Sequence, residues 1–449
     1  MKYNYKKEKI LIFGLGITGI SCLNFFLKKK IFPKVIDTKI FSLQKYIPNF
    51  IKCHFGSIKK SWILKSTLII MSPGISYKKY PIFNEAKKKG TIIISDIELF
   101  CREAKSPILA ITGSNGKSTV ATLLHKIISS YGYKAKLGGN IGIPAMNILS
   151  KKNDFYILEI SSFQLENTYN LNSFASTVLN ITQDHIDRHK KMEEYKEKKM
   201  RIYQNSQFCI VNLDFPCLFP KNRKKKECIT FGKYKGDYCL KKKENDLWIT
   251  KKRKFLLNCS ETKIFGICNY INFLSVIAFS DLIGIPHNFS LPIIKNFLGL
   301  EHRMQILNSN NGIKYINDSK STNIGSLIAA VESIKSTGFL HILVGGISKN
   351  ADFSCLSEFL KNRNCYLYCF GVDGKKISNF FPNNSYYFHN ISKAMKRIHK
   401  IIKKGDIVLL SPACSSLDQF KNFQERGKKF VYLVEKYKHK KFKFIKNEK

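Results

Sequence analysis

Gly113-Ser-Asn-Gly-Lys-Ser-Thr119 is the stretch on which the reading of this chain turns. An apolar run, Pro107-Ile-Leu-Ala-Ile-Thr112, precedes it and reads as a short buried strand. Val120-Ala-Thr-Leu-Leu-His-Lys-Ile-Ile128 follows with the apolar spacing of a helix. A glycine-rich turn between strand and helix leaves backbone N–H groups at the positive end of a helix dipole, which is a cradle for phosphate. Gly113, Ser114, Asn115, Gly116 and Thr119 form that cradle, with Lys117 as point charge and Ser118 as a hydroxyl for a divalent cation. The general phosphate-loop spelling has a glycine where this chain has Ile111. The plain alternative is a glycine-rich turn with a surface lysine, and the strand and helix on either side weigh against it.

Outward from the loop, apolar strands alternate with helical patterns. Towards the N-terminus, Lys9-Ile-Leu-Ile-Phe13 leads into Gly14, Gly16 and Gly19 at Gly-x-Gly-x-x-Gly spacing. Asp37 closes the next strand 18 residues past Gly19, where a dinucleotide-binding unit carries an acid for ribose hydroxyls. The basic, apolar start of the chain could pass for a signal peptide or membrane helix, but the glycines and Thr18, Ser21 and Asn24 break it. The expectation is a cytoplasmic protein with no membrane span. Beyond the loop, Glu159 ends an apolar run, the usual place for an acid that approaches magnesium. Ser176–Ile181 reads as a strand delivering Asp184 and His185 to its C-terminal edge, and the lysine-rich stretch 220–263 as a peripheral β-region. From about 300 the rhythm restarts, with strands at His341–Val344, Cys365–Phe370 and Asp406–Leu410. The fold class expected is α/β in three domains: 1–94 Rossmann-like, 95–299 phosphate-loop ATPase-like and 300–449 Rossmann-like.

Composition excludes some function classes. With 44% hydrophobic and 13% aromatic residues in 449, the chain is globular, not disordered. Its 13 cysteines include no Cys-x-x-Cys pair, which fits free thiols better than disulfides or zinc. The net charge of +44 invites a nucleic-acid reading. However, the lysines are spread evenly and accompany excess Ile, Asn, Phe and Tyr, as an AT-rich coding sequence would produce. No specific nucleic-acid partner is expected. Runs such as 221–226 and the tail from Lys436 read as solvated loops and ends.

Taken together, the motifs resemble the Mur ligase family over essentially the whole chain. Leu15, Ser72-Pro-Gly74, Thr112–Thr119, Gly138-Gly-Asn-Ile-Gly142, Glu159-Ile-Ser-Ser-Phe-Gln-Leu-Glu166 and Asn180-Ile-Thr-Gln-Asp-His-Ile-Asp-Arg188 carry it. Glu301-His-Arg303, Asn317-Asp-Ser-Lys-Ser-Thr-Asn323, Gly345-Gly-Ile-Ser-Lys349 and Ser411–Phe420 complete it. The resemblance implies an ATP-dependent amide ligase of peptidoglycan precursor synthesis working through an acyl phosphate. Within the family, Ser161–Glu166 and Ser411–Phe420 are most similar to members that add D-glutamate to UDP-N-acetylmuramoyl-L-alanine.

The same resemblance implies roles residue by residue. Lys117 would contact the terminal phosphate, Ser118 and Glu159 would serve Mg2+, and His185 would help hold a second metal. Lys199 matches the lysine that the family converts to a carbamate; the spacing from His185 is one residue short, so the match rests on Tyr195 and Met200-Arg-Ile-Tyr203, with Lys198 as the rival. ATP contacts resemble those at Asn272, Arg303 and Asp318. The nucleotide sugar would lie near Leu15, Asp37, Thr38, Gly74 and Asn140, and D-glutamate near Thr322, Lys349, Ser416, Leu417 and Phe423. Ile347 and Cys268 depart from the family pattern. Competing classes are a nicotinamide oxidoreductase, from the first 94 residues, and a nucleic-acid-stimulated NTPase. A monomer whose third domain closes over the second is expected, with hinges near 94 and 299.

Overall fold

The computed structural model describes residues 3–40, 47–189, 191–221, 223–307, 312–334 and 338–438. They form two compact units, one with residues up to Ile181, Glu193–Glu261 and Tyr270–Lys295, the other with Thr182–Met192, Thr262–Asn269 and Asn296 onward.

Two sheets make the first unit. One orders its strands Cys53–Phe55, Lys34–Asp37, Ile10–Phe13, Leu68–Met71, Ile92–Ile94, all parallel. Chain order 3-2-1-4-5 reverses direction beside Ile10–Phe13, which opens a crevice at the C-terminal ends of that strand and Leu68–Met71. The other runs Ala135–Gly139, Phe155–Glu159, Ile108–Thr112, Ala175–Val178, Phe208–Asn212, Cys228–Gly232, Tyr238–Lys243, Asp246–Lys251, Lys254–Asn258. It is parallel up to Tyr238–Lys243, and the last two strands add on antiparallel. The β-region expected at 220–263 therefore extends the edge of this sheet. Ile10–Phe13, Leu68–Met71, Ile108–Thr112 and Ala175–Val178 are buried at every position, as helices on both faces of a parallel sheet require. One core spans both sheets, from Ile12, Leu23 and Phe26 to Ile108, Tyr156 and Leu158. Each fully buried aliphatic side chain there contributes roughly 1.5–3 kcal/mol.

The second unit holds a sheet ordered Gln305–Leu307, Lys314–Asn317, Ile407–Leu410, Leu340–Gly345, Cys365–Phe370, Ser385–Phe388. All pairs are parallel except the first. The helices at Ile324–Ser333 and Ile391–Ile401 begin at Asn323 and Asn390, whose side chains accept from the N–H groups of Ser326 and Lys393. Such asparagine caps stabilise a helix by about 1 kcal/mol. The basic tail beyond residue 438 lies outside the described residues.

Candidate functional site

The phosphate loop lies where the strand Ile108–Thr112 gives way to the helix Lys117–Ser130. Its neighbours brace it. Asn180 grips Asn115 from both sides: its Oδ1 accepts from the Asn115 N–H at 2.8 Å, and its Nδ2 donates to the Asn115 carbonyl at 3.1 Å. Gly116 is the N-cap at φ +85°, and a Cβ there would stand 2.4 Å from Asn272 Oδ1. Both its backbone and its space exclude a side chain. Gly116→Ala is therefore expected to raise the KM for a nucleoside triphosphate about tenfold or more while leaving the KM of any other substrate near the parent's. Steady-state kinetics with each substrate varied in turn checks this.

Lys117 folds back over its own loop, with Nζ 2.7 Å from the Gly113 carbonyl and 2.9 Å from that of Ser114. Glu159 ends the adjacent strand, is 2% exposed, and accepts a 2.7 Å hydrogen bond from Asn140 Nδ2. The Ser118 hydroxyl and Glu159 carboxylate are hard oxygen donors, suited to magnesium. No group of three or more His, Cys, Asp or Glu able to hold a metal occurs among the described residues.

Helix Met192–Met200 brings Lys199 against the same loop. Its Nζ donates to the Gly113 carbonyl at 2.9 Å and lies 3.4 Å from Thr112 Oγ1 and 4.7 Å from the centre of the Tyr195 ring. The Tyr195 hydroxyl meets Ser114 Oγ at 3.0 Å. Lys199 is 2% exposed, whereas Lys198 is only half-buried. Of the two lysines, it is Lys199 that reaches the phosphate loop.

At the crevice of the first sheet, Asp37 accepts from the N–H groups of Leu15, at 2.6 Å, and Lys39, at 2.9 Å. Leu15 itself is a core side chain, so its part at the crevice is to hold Asp37. Gly14, at φ +97°, lets Ser72 and Ile75 approach: a Cβ there would be 2.6 Å from Ser72 Cβ and 2.7 Å from Ile75 Cδ1. Thr38 follows Asp37 directly, and Gly74 lies on the loop that approaches this turn.

A second constellation stands within the second unit. Asp184, His185, Thr322, Asn323, Lys349 and Ala413 line a small cleft. Lys349 Nζ is 2.9 Å from Asp184 Oδ1, Asn323 Nδ2 is 3.2 Å from Asp184 Oδ2, and His185 Nε2 is 3.6 Å from the same oxygen. Burial opposes charge on Asp184, but the Lys349 ammonium and His185 outweigh it and hold the carboxyl below its usual range. His185 and Lys349 both have left-handed backbones, at φ +55° and +54°. Thr322, Lys349 and His185, predicted separately, therefore share one cleft.

Ile347, which departs from the family pattern, acts through its backbone, exchanging N–H···O bonds of 3.0 and 2.9 Å with Ser415. That bridge ties the Lys349 loop to the segment containing Ser416, which is buried, and Leu417, which is exposed. Cys268, the other departure, is exposed on the first turn of helix Ile267–Leu282.

Asp318 has its carboxyl pushed up to about 7 by burial, against opposing hydrogen bonds from the Met304 N–H and Ser411 Oγ and the charge of Arg303. Near neutral pH it can accept or donate a hydrogen bond. Phe423 opens the last described helix, with Lys320 Nζ 3.9 Å from the centre of its ring.

Two residues with structural weight carried no role in the sequence reading. Asn180 lay within a quoted motif but unassigned. Arg426 is completely buried, and it shares a helical stripe with Phe430, Leu433 and Val434. An arginine on an apolar stripe was the available signal.

Three family models match in succession: Mur ligase MurD-like, N-terminal domain over 8–95, Mur ligase middle domain over 111–280, and Mur ligase, glutamate ligase domain over 302–414. The UDP-N-acetylmuramoylalanine--D-glutamate ligase of Buchnera aphidicola subsp. Baizongia pistaciae is 47% identical over 445 residues, covering 98% of this chain and 100% of that protein. The chain belongs to the Mur ligase family. The protein of the same description from Yersinia pseudotuberculosis is 42% identical over 435 residues, covering 96% and 99%. Among solved structures, a pseudomurein peptide ligase type C from Methanothermus fervidus superposes with a TM-score of 0.63 at 17% identity, covering 96% of this Mur ligase and 100% of that chain. MurF ligase from Thermotoga maritima in complex with ADP gives 0.63 at 14%, covering 97% and 96%. At such low identity these two speak for the fold alone. No helix among the described residues of this Mur ligase is long and apolar enough to cross a membrane.

Proposed function

We infer that this Mur ligase joins D-glutamate to UDP-N-acetylmuramoyl-L-alanine at the expense of ATP, in the cytoplasmic synthesis of peptidoglycan precursor. The observation that carries the reading is similarity at 42–47% identity, over nearly the full length of both chains, to ligases of that description. A carboxylate is a poor electrophile. Transfer of the terminal phosphoryl of ATP to the L-alanyl carboxylate makes an acyl phosphate, and the D-glutamate amine then displaces phosphate to form the amide. Catalysis of this kind is mostly positioning and neutralisation of phosphate charge.

In this reading Gly113–Thr119 and Lys117 hold the ATP phosphates, and Asn272, Arg303 and Asp318 serve the nucleoside. Ser118, Glu159, His185 and a carbamate on Lys199 are oxygen and nitrogen donors for Mg2+, which when bound offsets phosphate charge. Leu15, Asp37, Thr38, Gly74 and Asn140 receive the nucleotide sugar. Thr322, Lys349, Ser416, Leu417 and Phe423 receive D-glutamate, whose two carboxylates suit an ammonium, hydroxyls and backbone N–H groups. The functional domains would divide near residues 94 and 299, and the enzyme would act as a monomer.

The test is phosphate release with UDP-N-acetylmuramoyl-L-alanine, ATP and a panel of amino acids. D-glutamate is expected to be the preferred acceptor. Release driven by L-lysine, diaminopimelate or L-glutamate, with D-glutamate inert, would overturn the specificity.

A further inference from the structure

Lys78 lies in the 3-10 turn Tyr77–Lys79, a few residues beyond Ser72-Pro-Gly74 on the crevice loop of the first sheet. Its ammonium pairs with two carboxylates from the other sheet of the same unit. One is Glu194, in the helix Met192–Met200; the other is Glu166, 3.4 Å away, at the end of the helix that follows Glu159. The Glu166 side chain is 5% exposed. Glu194 immediately precedes Tyr195, which touches the phosphate loop, and it lies on the helix of Lys199.

The other end of that helix is braced onto the same segment. Arg201 Nη1 donates to the Glu166 carbonyl at 2.9 Å, and Nη2 to the Thr168 carbonyl at 2.7 Å. Arg201 therefore fixes the end just past Lys199 from within the second sheet. Lys78 fixes the beginning of the helix from the crevice loop. Lys87 is attracted by Glu166 and repelled by Lys78 and Lys198, so the carboxylates at the anchor offset a local excess of cations.

We propose that Lys78 is a positioning residue that ties the nucleotide-sugar crevice to the helix carrying Lys199. This rests on the ligand assignment of the proposed function. A nucleotide sugar that orders the 72–80 loop would, through Lys78 and Glu194, also hold Tyr195 and Lys199 against the phosphate loop. Lys78 touches no reacting atom. Ion pairs made by a partly exposed lysine contribute little to global stability, so the effect is expected in coupling and turnover and not in melting temperature.

The test is hydrogen exchange on the whole protein, with and without UDP-N-acetylmuramoyl-L-alanine, for the parent, Lys78→Ala, Lys78→Arg and Glu194→Gln. In the parent, the ligand should slow exchange in both 72–80 and 192–200. In Lys78→Ala and Glu194→Gln the slowing should persist in 72–80 and vanish in 192–200, while Lys78→Arg keeps both. Turnover should fall about tenfold in Lys78→Ala and in Glu194→Gln with the D-glutamate KM little changed, and the variant carrying both substitutions should be no worse than either single one. Ligand-induced slowing of 192–200 that survives in Lys78→Ala, or single effects that multiply independently, would overturn the proposal. If the parent shows no slowing in 72–80, the ligand assignment itself fails and this inference falls with it.

Discussion

Lys199→Ala is expected to lower turnover with D-glutamate about a thousandfold, the scale of removing a charge-stabilising group from a closed site. The reason is its position. Lys199 is 2% exposed, its Nζ is 2.9 Å from the Gly113 carbonyl, and Tyr195 links the same helix to Ser114. A buried ammonium beside the phosphate loop can meet phosphate charge directly or be converted, by carbon dioxide, into an oxygen donor for magnesium. A bare ammonium cannot ligate a cation, whereas a carbamate can. The two uses separate experimentally. If the carbamate is the working form, short carboxylic acids added to Lys199→Ala should restore part of the turnover, because they supply the missing oxygens. Lys198→Ala, at the half-buried neighbour, should stay near the parent. Turnover of Lys199→Ala within about threefold of the parent, with an unchanged melting curve, would remove Lys199 from the reaction.

Arg426→Ala is expected to destabilise the second unit by about 3–5 kcal/mol. Arg426 is 0% exposed, and burial lowers its pKa to about 10, still charged at neutral pH. Its Nη2 donates to the Ser319 carbonyl at 2.8 Å, Nε to Ser319 Oγ at 3.1 Å, and Nη1 to the Cys414 carbonyl at 3.0 Å and, more loosely, the Gly345 carbonyl at 3.4 Å. Those acceptors lie at the C-terminal ends of three neighbouring strands, Lys314–Asn317, Leu340–Gly345 and Ile407–Leu410, or in the loops that follow them. These loops carry Asp318, Lys349 and Ser416. Alanine would leave the carbonyls buried without their donor and open a cavity, and each unmade bond costs about 1–3 kcal/mol. Lysine would not rescue, because a point charge cannot serve several acceptors in a planar fork. Urea unfolding, with amide exchange read on 340–345 and 407–410, measures the loss. A change below about 1 kcal/mol would show that the guanidinium is dispensable.

Much of the architecture was legible because it depends on local pattern. Ile10–Phe13, Ile108–Thr112 and Cys365–Phe370 are apolar at nearly every position, and a short run that must be buried on both faces reads as a parallel strand without knowledge of its neighbours. The glycines at 14, 113 and 116 were equally readable, since positive φ and close approach exclude a side chain whatever surrounds them. The expected strand from Ser176 to Ile181 instead spans Ala175–Val178. Beyond it, the backbone of Asn180 accepts from the Ser114 N–H and its side chain braces Asn115, so the chain leaves the sheet to serve the loop.

Partnerships were not legible. Asp184 and Lys349 are separated by 165 residues and Lys78 and Glu194 by 116, and nothing in either neighbourhood names the other. The lysines offer no help, because 76 Lys and Arg against 32 Asp and Glu leave most cations with no obligatory partner. Lys199 was legible only as one of two adjacent lysines. Which of them turns inward depends on the rotation of its helix against the phosphate loop, and that rotation is set by Tyr195, Arg201 and the carboxylates around Lys78.

The strand–loop–helix unit at Gly113–Thr119, the alternation of strands with helices and the types of group available for chemistry follow from sequence, because backbone sterics and hydrophobic period act over a few residues. The ion pair at Asp184, the buried fork of Arg426 and the inward turn of Lys199 were decided by tertiary structure, because burial removes water and lets distant charges choose each other.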